Sequence, residues 1–396
     1  MVVFVRALPL DLADLRPLIA DMSFHSIDGG AVIYDPSAKR LFALNAAAAM
    51  IWQAVKAGNG RLSIRMELAS AFNLVDDEAE NWIERALSSF GGTFPQDASA
   101  AALPDLPEFP KPALTAVGTN YAVLGQNVTI AAPGDALALI DTMIGSFKQG
   151  QTGRDRAALS IAIEAVNGEF AISSDGDPRA VVAPEKLVAE VERRIVQDLV
   201  PRVPHFLAFH AALLQSREGG VLFPAPSGSG KTTLSATLAR EGWGYLSDEM
   251  ALLERSLTWQ GLPFPPCIKA ENYALIEAGQ PGLRDAVEHD RFGRRVKFLP
   301  LTPRTGSIAV STVVFPEYRA DAVNTLEPLA AFDGLQRFLT QCVYVPFGFT
   351  DEDVSRLLQW HDQTAYYTLR FSSAHAAVQI LGQTGDFALG GRADVQ

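Results

Sequence analysis

The stretch Ala225-Pro226-Ser227-Gly228-Ser229-Gly230-Lys231-Thr232 stands between an apolar run of strand length, Gly220 to Pro224, and a run of helical composition from Lys231 to Glu241 that Gly242 ends. A strand, a glycine-rich turn and a helix opening on Lys-Thr form the pattern of a loop that cradles phosphates. Glycines let the backbone curl so that successive N–H groups point inward, and the helix N-terminus adds its positive dipole end. The candidate nucleotide-binding residues are therefore Ser227, Gly228, Ser229, Gly230, Lys231, Thr232 and Thr233. Lys231 supplies a point charge for the β- and γ-phosphates, and the Thr232 hydroxyl suits a Mg²⁺ ligand position. ATP and Mg²⁺ are the implied ligands. Ala225 occupies the place of the pattern's first glycine.

On either side of this loop, residues 203–390 alternate between strand and helix, the signature of an α/β domain. Phe206 to Leu214 reads as a strand before the loop, and Gly244 to Ser247 as one after it, delivering Asp248 and Glu249. If Gly220–Pro224 and Gly244–Ser247 are neighbours in a parallel sheet, their C-terminal ends converge where the phosphates lie. One carboxylate there would hold Mg²⁺, and one would accept the proton of an attacking hydroxyl. Ile308 to Phe315 and Tyr366 to Phe371 read as further strands, Leu329 to Cys342 and Asp351 to Asp362 as helices. His210 lies inside the apolar run Phe206 to Ala212 and, taken alone, reads as a core histidine.

The chain has 396 residues, 48% hydrophobic and 20% charged, which predicts more than one globular domain. A net charge of −12 argues against a broad grip on nucleic acid, while leaving room for a small basic pocket. Two distant cysteines, Cys267 and Cys342, make neither a disulfide framework nor a metal-ligand spacing. The N-terminus lacks the pattern of a secretory leader and no run is long enough to span a bilayer, so a cytoplasmic protein is expected.

Five closely spaced prolines between Pro95 and Pro112 predict an extended linker. Ahead of it, Ala31 to Tyr34 and Arg40 to Leu44 read as strands joined by the turn Asp35-Pro36-Ser37-Ala38. Asn45 is placed to cap a helix from Ala46 to about Ala57. Leu62, Met66 and Leu68 suggest a second helix, and Trp82, Ile83, Ala86, Leu87 and Phe90 a third opened by Asp76 and Asp77. A hairpin followed by three helices is a winged-helix-like α+β unit. The expected domains are thus 1–92, a linker over 93–112, a mainly β subdomain over 113–202 and a catalytic domain over 203–396. In the third segment Tyr121 to Ile130 and Glu169 to Ile172 read as strands, and Leu187 to Leu199 as a helix.

Three segments carry a resemblance to the catalytic domain of bacterial HPr kinase/phosphorylases: His210-Ala211, Pro226 to Leu234, and Gly242-Trp243-Gly244-Tyr245-Leu246-Ser247-Asp248-Glu249. The resemblance implies that His210 steers Asp248, that Asp248 is the general base toward a substrate hydroxyl, and that Lys231 belongs to the same catalytic set. Thr232, Asp248 and Glu249 would attend the metal. Leu262 to Lys269, Val296 to Pro300 and Phe315 to Arg319 also have counterparts there. Lys269 is a candidate phosphate or substrate contact, as is Arg295 in the basic run Arg291, Arg294, Arg295, Lys297. A homo-oligomer fits this resemblance. Glu249 stands where those enzymes carry a second aspartate.

The segment 23–92 resembles the PqqD-type peptide-binding fold, the RiPP recognition element, through Ala31 to Tyr34, Leu41 to Ala48 and Ile51-Trp52. Such modules add the leader of a ribosomally made precursor as an extra strand. The leader is expected against Leu41, Phe42 and Ala43 and against Ile83 and Leu87 of the third helix. Together these readings predict an ATP-dependent kinase for a Ser or Thr hydroxyl of a precursor peptide, with no nucleic acid or membrane partner. The alternatives are a nucleotide-gated peptide-binding NTPase or chaperone, and a kinase for a small-molecule hydroxyl.

Overall fold

A computed structural model describes residues 12–93, 118–149, 157–175, 177–226, 228–346 and 348–383. It is a mixed α/β chain that divides into two compact units. The predicted linker over 93–112 lies outside the described residues apart from Thr93.

The described part of the first unit opens with α1 (Leu12–Ile19) and a three-stranded antiparallel sheet in the order β1 (Ser23–Ile27), β2 (Gly30–Asp35), β3 (Arg40–Asn45). Asp35 shapes the β2–β3 turn, its Oδ1 accepting from the Ser37 and Ala38 amides at 2.9 and 3.1 Å. Asn45 caps α2 (Ala46–Lys56) by accepting from the Ala48 amide at 2.9 Å. Then follow α3 (Arg61–Phe72) and α4 (Asp76–Thr93). Trp52 is fully buried and meets Phe90 edge-on at 5.4 Å, in a core with Ile33, Ile64, Leu68, Ile83 and Leu87. On α3 it is Ile64 and Leu68 that face this core, whereas Leu62 and Met66 are exposed. The unit also takes in Phe332–Thr340 and 348–355 from far downstream. There Phe349 packs edge-on against Tyr34 at 4.8 Å.

The second unit contains the rest of the described chain and opens with the sheet β4 (Thr119–Val123), β5 (Gln126–Ala131), β6 (Leu159–Val166), β7 (Glu169–Ser174), β8 (Asp177–Val182), paired in that order. The single strand read over Tyr121–Ile130 is instead a hairpin, because Leu124 and Gly125 both adopt positive φ (53° and 69°) and reverse the chain. Two helices, α5 (Gly134–Ile144) and α6 (Leu187–Arg194), pack in one core with residues from this sheet and from Ala208, Leu252, Leu262, Phe264 and Phe298 downstream. The segments read as a separate subdomain and a catalytic domain therefore share a hydrophobic interior.

Downstream come β9 (Leu207–Phe209), β10 (Ala211–Gln215), β11 (Gly220–Pro224), α7 (Lys231–Arg240), β12 (Gly244–Ser247), β13 (Ala251–Leu253), β14 (Thr258–Gly261), β15 (Cys267–Lys269), α8 (Tyr273–Glu277), β16 (Glu288–Arg291), β17 (Arg294–Phe298) and β18 (Ser307–Tyr318). The chain continues through β19 (Thr325–Leu329), α9 (Ala331–Leu339), β20 (Cys342–Tyr344), α10 (Asp351–His361), β21 (Ala365–Phe371) and α11 (Ala374–Gln383). The large sheet runs β12-β10-β11-β18-β14-β13-β9-β20, with β21 also on β18 and β19 on β21. The strand read over Phe206–Leu214 is two strands broken at His210, whose amide is given to the Gln341 carbonyl at 2.8 Å. β9 pairs with β13 and β20, β10 with β11 and β12.

β11 and β12 are not neighbours, since β10 lies between them and is antiparallel to both. They nevertheless run in the same direction, so their C-terminal ends reach one edge of the sheet. The reversed β10 begins at that same edge, which brings His210 beside the loop after β11 and the carboxylates after β12. β18 and β21 are parallel to β11 and end there too.

Candidate nucleotide site

Between β11 and α7 the backbone turns with Gly228 and Gly230 at φ of 92° and 85°. Gly230 is the N-cap residue of α7, with no side chain bonding to the first-turn amides. Those amides are the unpaired donors that a helix start offers to an anion. The Ser229 hydroxyl is buried with no hydrogen-bond partner among the described residues. Ser227 lies outside the described residues.

Lys231 is buried at the start of α7 and bends back so that Nζ donates to the Ala225 carbonyl at 3.2 Å and lies 2.8 Å from His210 Nε2. An imidazole that accepts from an ammonium must be neutral on that nitrogen. Burial, and then the charge of Lys231, accordingly hold His210 below the usual histidine range. Burial also brings Lys231 down to about 8, against the attraction of Glu249 and Asp248.

Asp248 follows β12 and is only 3% exposed. Its Oδ1 accepts from the Tyr245 hydroxyl at 2.8 Å, while Oδ2 is buried without a hydrogen-bond partner among the described residues. Burial, reinforced by Glu249, raises the Asp248 carboxyl against the hydroxyls of Tyr245 and Thr232 and the charge of Lys231. Glu249 is the opposite case. Burial would raise it, but Arg291 at 3.2 Å, with Lys231, outweighs burial and holds it below the usual range. Adjacent carboxyls are thereby driven apart: one is prone to take a proton and the other is committed to being an anion.

Arg291, on β16, ties Glu249 to Glu192 of α6, with its Nε donating to Glu192 Oε2 at 2.8 Å and a terminal nitrogen to Oε1 at 2.5 Å. Burial raises Glu192 to about 7 in spite of that pairing. The basic run around Arg291 is a hairpin, turned by Phe292 and Gly293 at positive φ. Sequence reasoning named this run but singled out Arg295, which pairs loosely with Glu288 at 3.5 Å while Arg291 and Arg294 line the cavity. The deciding signal was the Phe292-Gly293 turn, which fixes the strand alternation on either side.

These elements enclose a cavity of about 780 Å³ lined by the loop glycines, Lys231, Thr232, Thr233, His210, Glu249 and Lys269. Asp248 is closed in by its neighbours, so of this adjacent pair it is Glu249 that stands on the cavity wall. The wall carries Lys231, Arg240, Lys269, Arg291 and Arg294 against Glu249 and Glu271, an excess of cations in a chain of net charge −12. Such local inversion of sign favours an anionic ligand. No group of three or more His, Cys, Asp or Glu placed to hold a metal occurs among the described residues.

The residues expected to meet a leader peptide behave differently. Ile83 and Leu87 are 0% and 1% exposed and belong to the core of the first unit, and Leu41 is also buried. Their helical spacing is that of a core face. Phe42 and Ala43 are half-buried, and the Ala43 carbonyl accepts from Gln336 Nε2 at 3.4 Å. Among the described residues no helix is long and apolar enough to cross a membrane.

The class defined by fold and site is a mixed α/β protein with an anion-suited loop between a strand and a helix. Comparison of the sequence with protein-family models and with curated proteins returned no match.

Proposed function

We propose that the second unit is an ATP-dependent phosphotransferase acting on a hydroxyl acceptor. The observation that carries this reading is the set gathered at one sheet edge: Lys231 Nζ 2.8 Å from His210 Nε2, with Asp248 close enough to shift the lysine. The fit to a triphosphate rests on the uncapped amides of α7, the unpartnered Ser229 hydroxyl and the cationic cavity wall. Thr232 and Glu249 are the residues suited to hold Mg²⁺, which would neutralise charge on the phosphates; with so few protein ligands, the phosphates themselves would complete its shell.

The chain's own residues divide the work by their environments. Lys231, poised near neutrality, is fully charged once an anion sits against it. Asp248 has an unpartnered oxygen and a raised pKa, as suits a base that takes the hydroxyl proton. Glu249 stays ionised through Arg291 and cannot readily take that proton. His210 holds Lys231 and thereby the edge of the site.

The acceptor we favour is a Ser or Thr of a precursor peptide whose leader adds as a strand to β3, the last strand of its sheet. Docking there would raise the local concentration of the core peptide. With Ile83 and Leu87 closed into the core, main-chain pairing and Phe42 would carry recognition. The test is incubation with γ-labelled ATP, Mg²⁺ and a short Ser/Thr peptide encoded beside the gene. Label on the peptide supports the reading. Label released only as free phosphate would replace it with a nucleotide-gated binding protein, and unaltered ATP would overturn it.

A further inference from the structure

The loop after β11 has chemistry on both sides. On one side lie His210 and the carboxylates after β12. On the other, β18 ends in Tyr318 and β21 ends in Phe371, paired in register with ring centroids 5.8 Å apart. The last loop glycine abuts this pair: a Cβ on Gly230 would lie 3.2 Å from Tyr318 Cβ and 3.3 Å from Phe371 Cζ. Phe371 is buried, 2% exposed, but Tyr318 is 48% exposed and lines the cavity.

A triphosphate has two ends, and the site separates what each would meet. The terminal phosphate belongs near Asp248, where a hydroxyl proton can be taken. The nucleoside must then extend the other way along the sheet edge, over the ends of β18 and β21. Nearby polar groups there are already engaged. The Ser372 amide and hydroxyl both bond Asn324 Oδ1, at 2.7 and 3.1 Å, and the Ser373 hydroxyl accepts from the Ala376 amide at 3.2 Å. What the two strand ends add is a half-exposed aromatic ring, that of Tyr318, packed against Phe371.

We propose that Tyr318 is the platform on which the nucleobase of the bound triphosphate stacks, a claim that rests on the nucleotide reading above. Stacking uses the π-face that every base possesses, so it adds affinity with little regard to base identity.

The test is calorimetric titration of the full chain, with Mg²⁺, by ATP and separately by inorganic tripolyphosphate. Tyr318→Ala is expected to weaken ATP binding about tenfold, within the range of base–aromatic stacking, and to leave tripolyphosphate binding unchanged. Tyr318→Phe should retain wild-type ATP affinity. Equal loss for both ligands would overturn the proposal, because Tyr318 would then be propping the loop through Gly230 and not meeting a base. Unchanged ATP affinity in Tyr318→Ala would overturn it as well, leaving the phosphate cradle intact. If neither ligand binds the wild-type chain, the nucleotide reading itself fails, and the platform with it.

Discussion

Replacing Asp248 by Asn keeps the side-chain shape and removes only the charge and the ability to accept a proton. The surroundings predict opposite effects on chemistry and on stability. Asp248 is buried beside Glu249, so its ionised form is disfavoured in the folded chain. A neutral amide relieves that conflict and can still accept from the Tyr245 hydroxyl, now 2.8 Å from Oδ1. The melting temperature of Asp248→Asn should therefore equal or exceed that of the wild type. Phosphoryl transfer should fall by about 10²–10⁴-fold, the usual contribution of a positioned base. That corresponds to about 3–5 kcal/mol of barrier. The assay is initial rate of label transfer at saturating ATP, with the ATP dissociation constant measured in parallel and expected to stay within about threefold, well under one tenfold step in affinity. Glu249→Gln is the control: it removes one of the two carboxylates that Arg291 pairs with as well as changing the site, so it should lower stability. Activity of Asp248→Asn within tenfold of wild type would refute the base assignment. So would a greater loss in Glu249→Gln with Asp248→Asn active, since the base would then be Glu249.

Lys231→Met should weaken ATP binding by roughly 10–100-fold, the range of a charge-assisted hydrogen bond. The ligand-free fold should lose no stability, because burial already brings Lys231 down to about 8; an unchanged dissociation constant would count against the cradle. Gly230→Ala places a side chain at φ 85° against Tyr318 and Phe371, costing about 1–2 kcal/mol from the left-handed backbone alone, visible as a lowered denaturant midpoint. Asn45→Ala removes the α2 cap at a cost of about 1 kcal/mol in urea unfolding, without change in ATP affinity. Glu192 gives the pH dependence. Its carboxyl is raised from 4.5 to about 7, so its contribution to stability is fully present below pH 4.5 and is lost as pH rises through 7. On going from pH 5 to pH 8, Glu192→Gln should gain on the wild type by up to about 3 kcal/mol; a pH-independent difference would refute the assignment.

Local chemistry was the legible part of this molecule. Asn45 and the Asp35 turn act within three residues of themselves, and both stand where their side chains predict. Core faces were less legible: α3 buries Ile64 and Leu68 rather than Leu62 and Met66, because periodicity shows that a face exists but not which neighbour covers it. Tight two-residue turns were not legible, and the strand expected over Tyr121–Ile130 is divided by one. Leu124-Gly125 and Phe292-Gly293 carry turns through a non-glycine residue at positive φ, a conformation no propensity advertises. His210 interrupts an apolar run that looks continuous, and only the Gln341 carbonyl, more than a hundred residues away, explains why.

That interruption shows why the site could be read more readily than the fold around it. The loop and the carboxylates would converge if β11 and β12 were neighbours, and the two strands are not. Yet an intervening antiparallel strand preserves the direction of the two it separates, so the loop and the carboxylates still reach one edge. It also contributes its own beginning to that edge, which is where the chain breaks to present His210 to Lys231. The loop and the carboxylates therefore meet across an intervening strand, and the histidine at its start takes its partner from strand order rather than from its sequence neighbours.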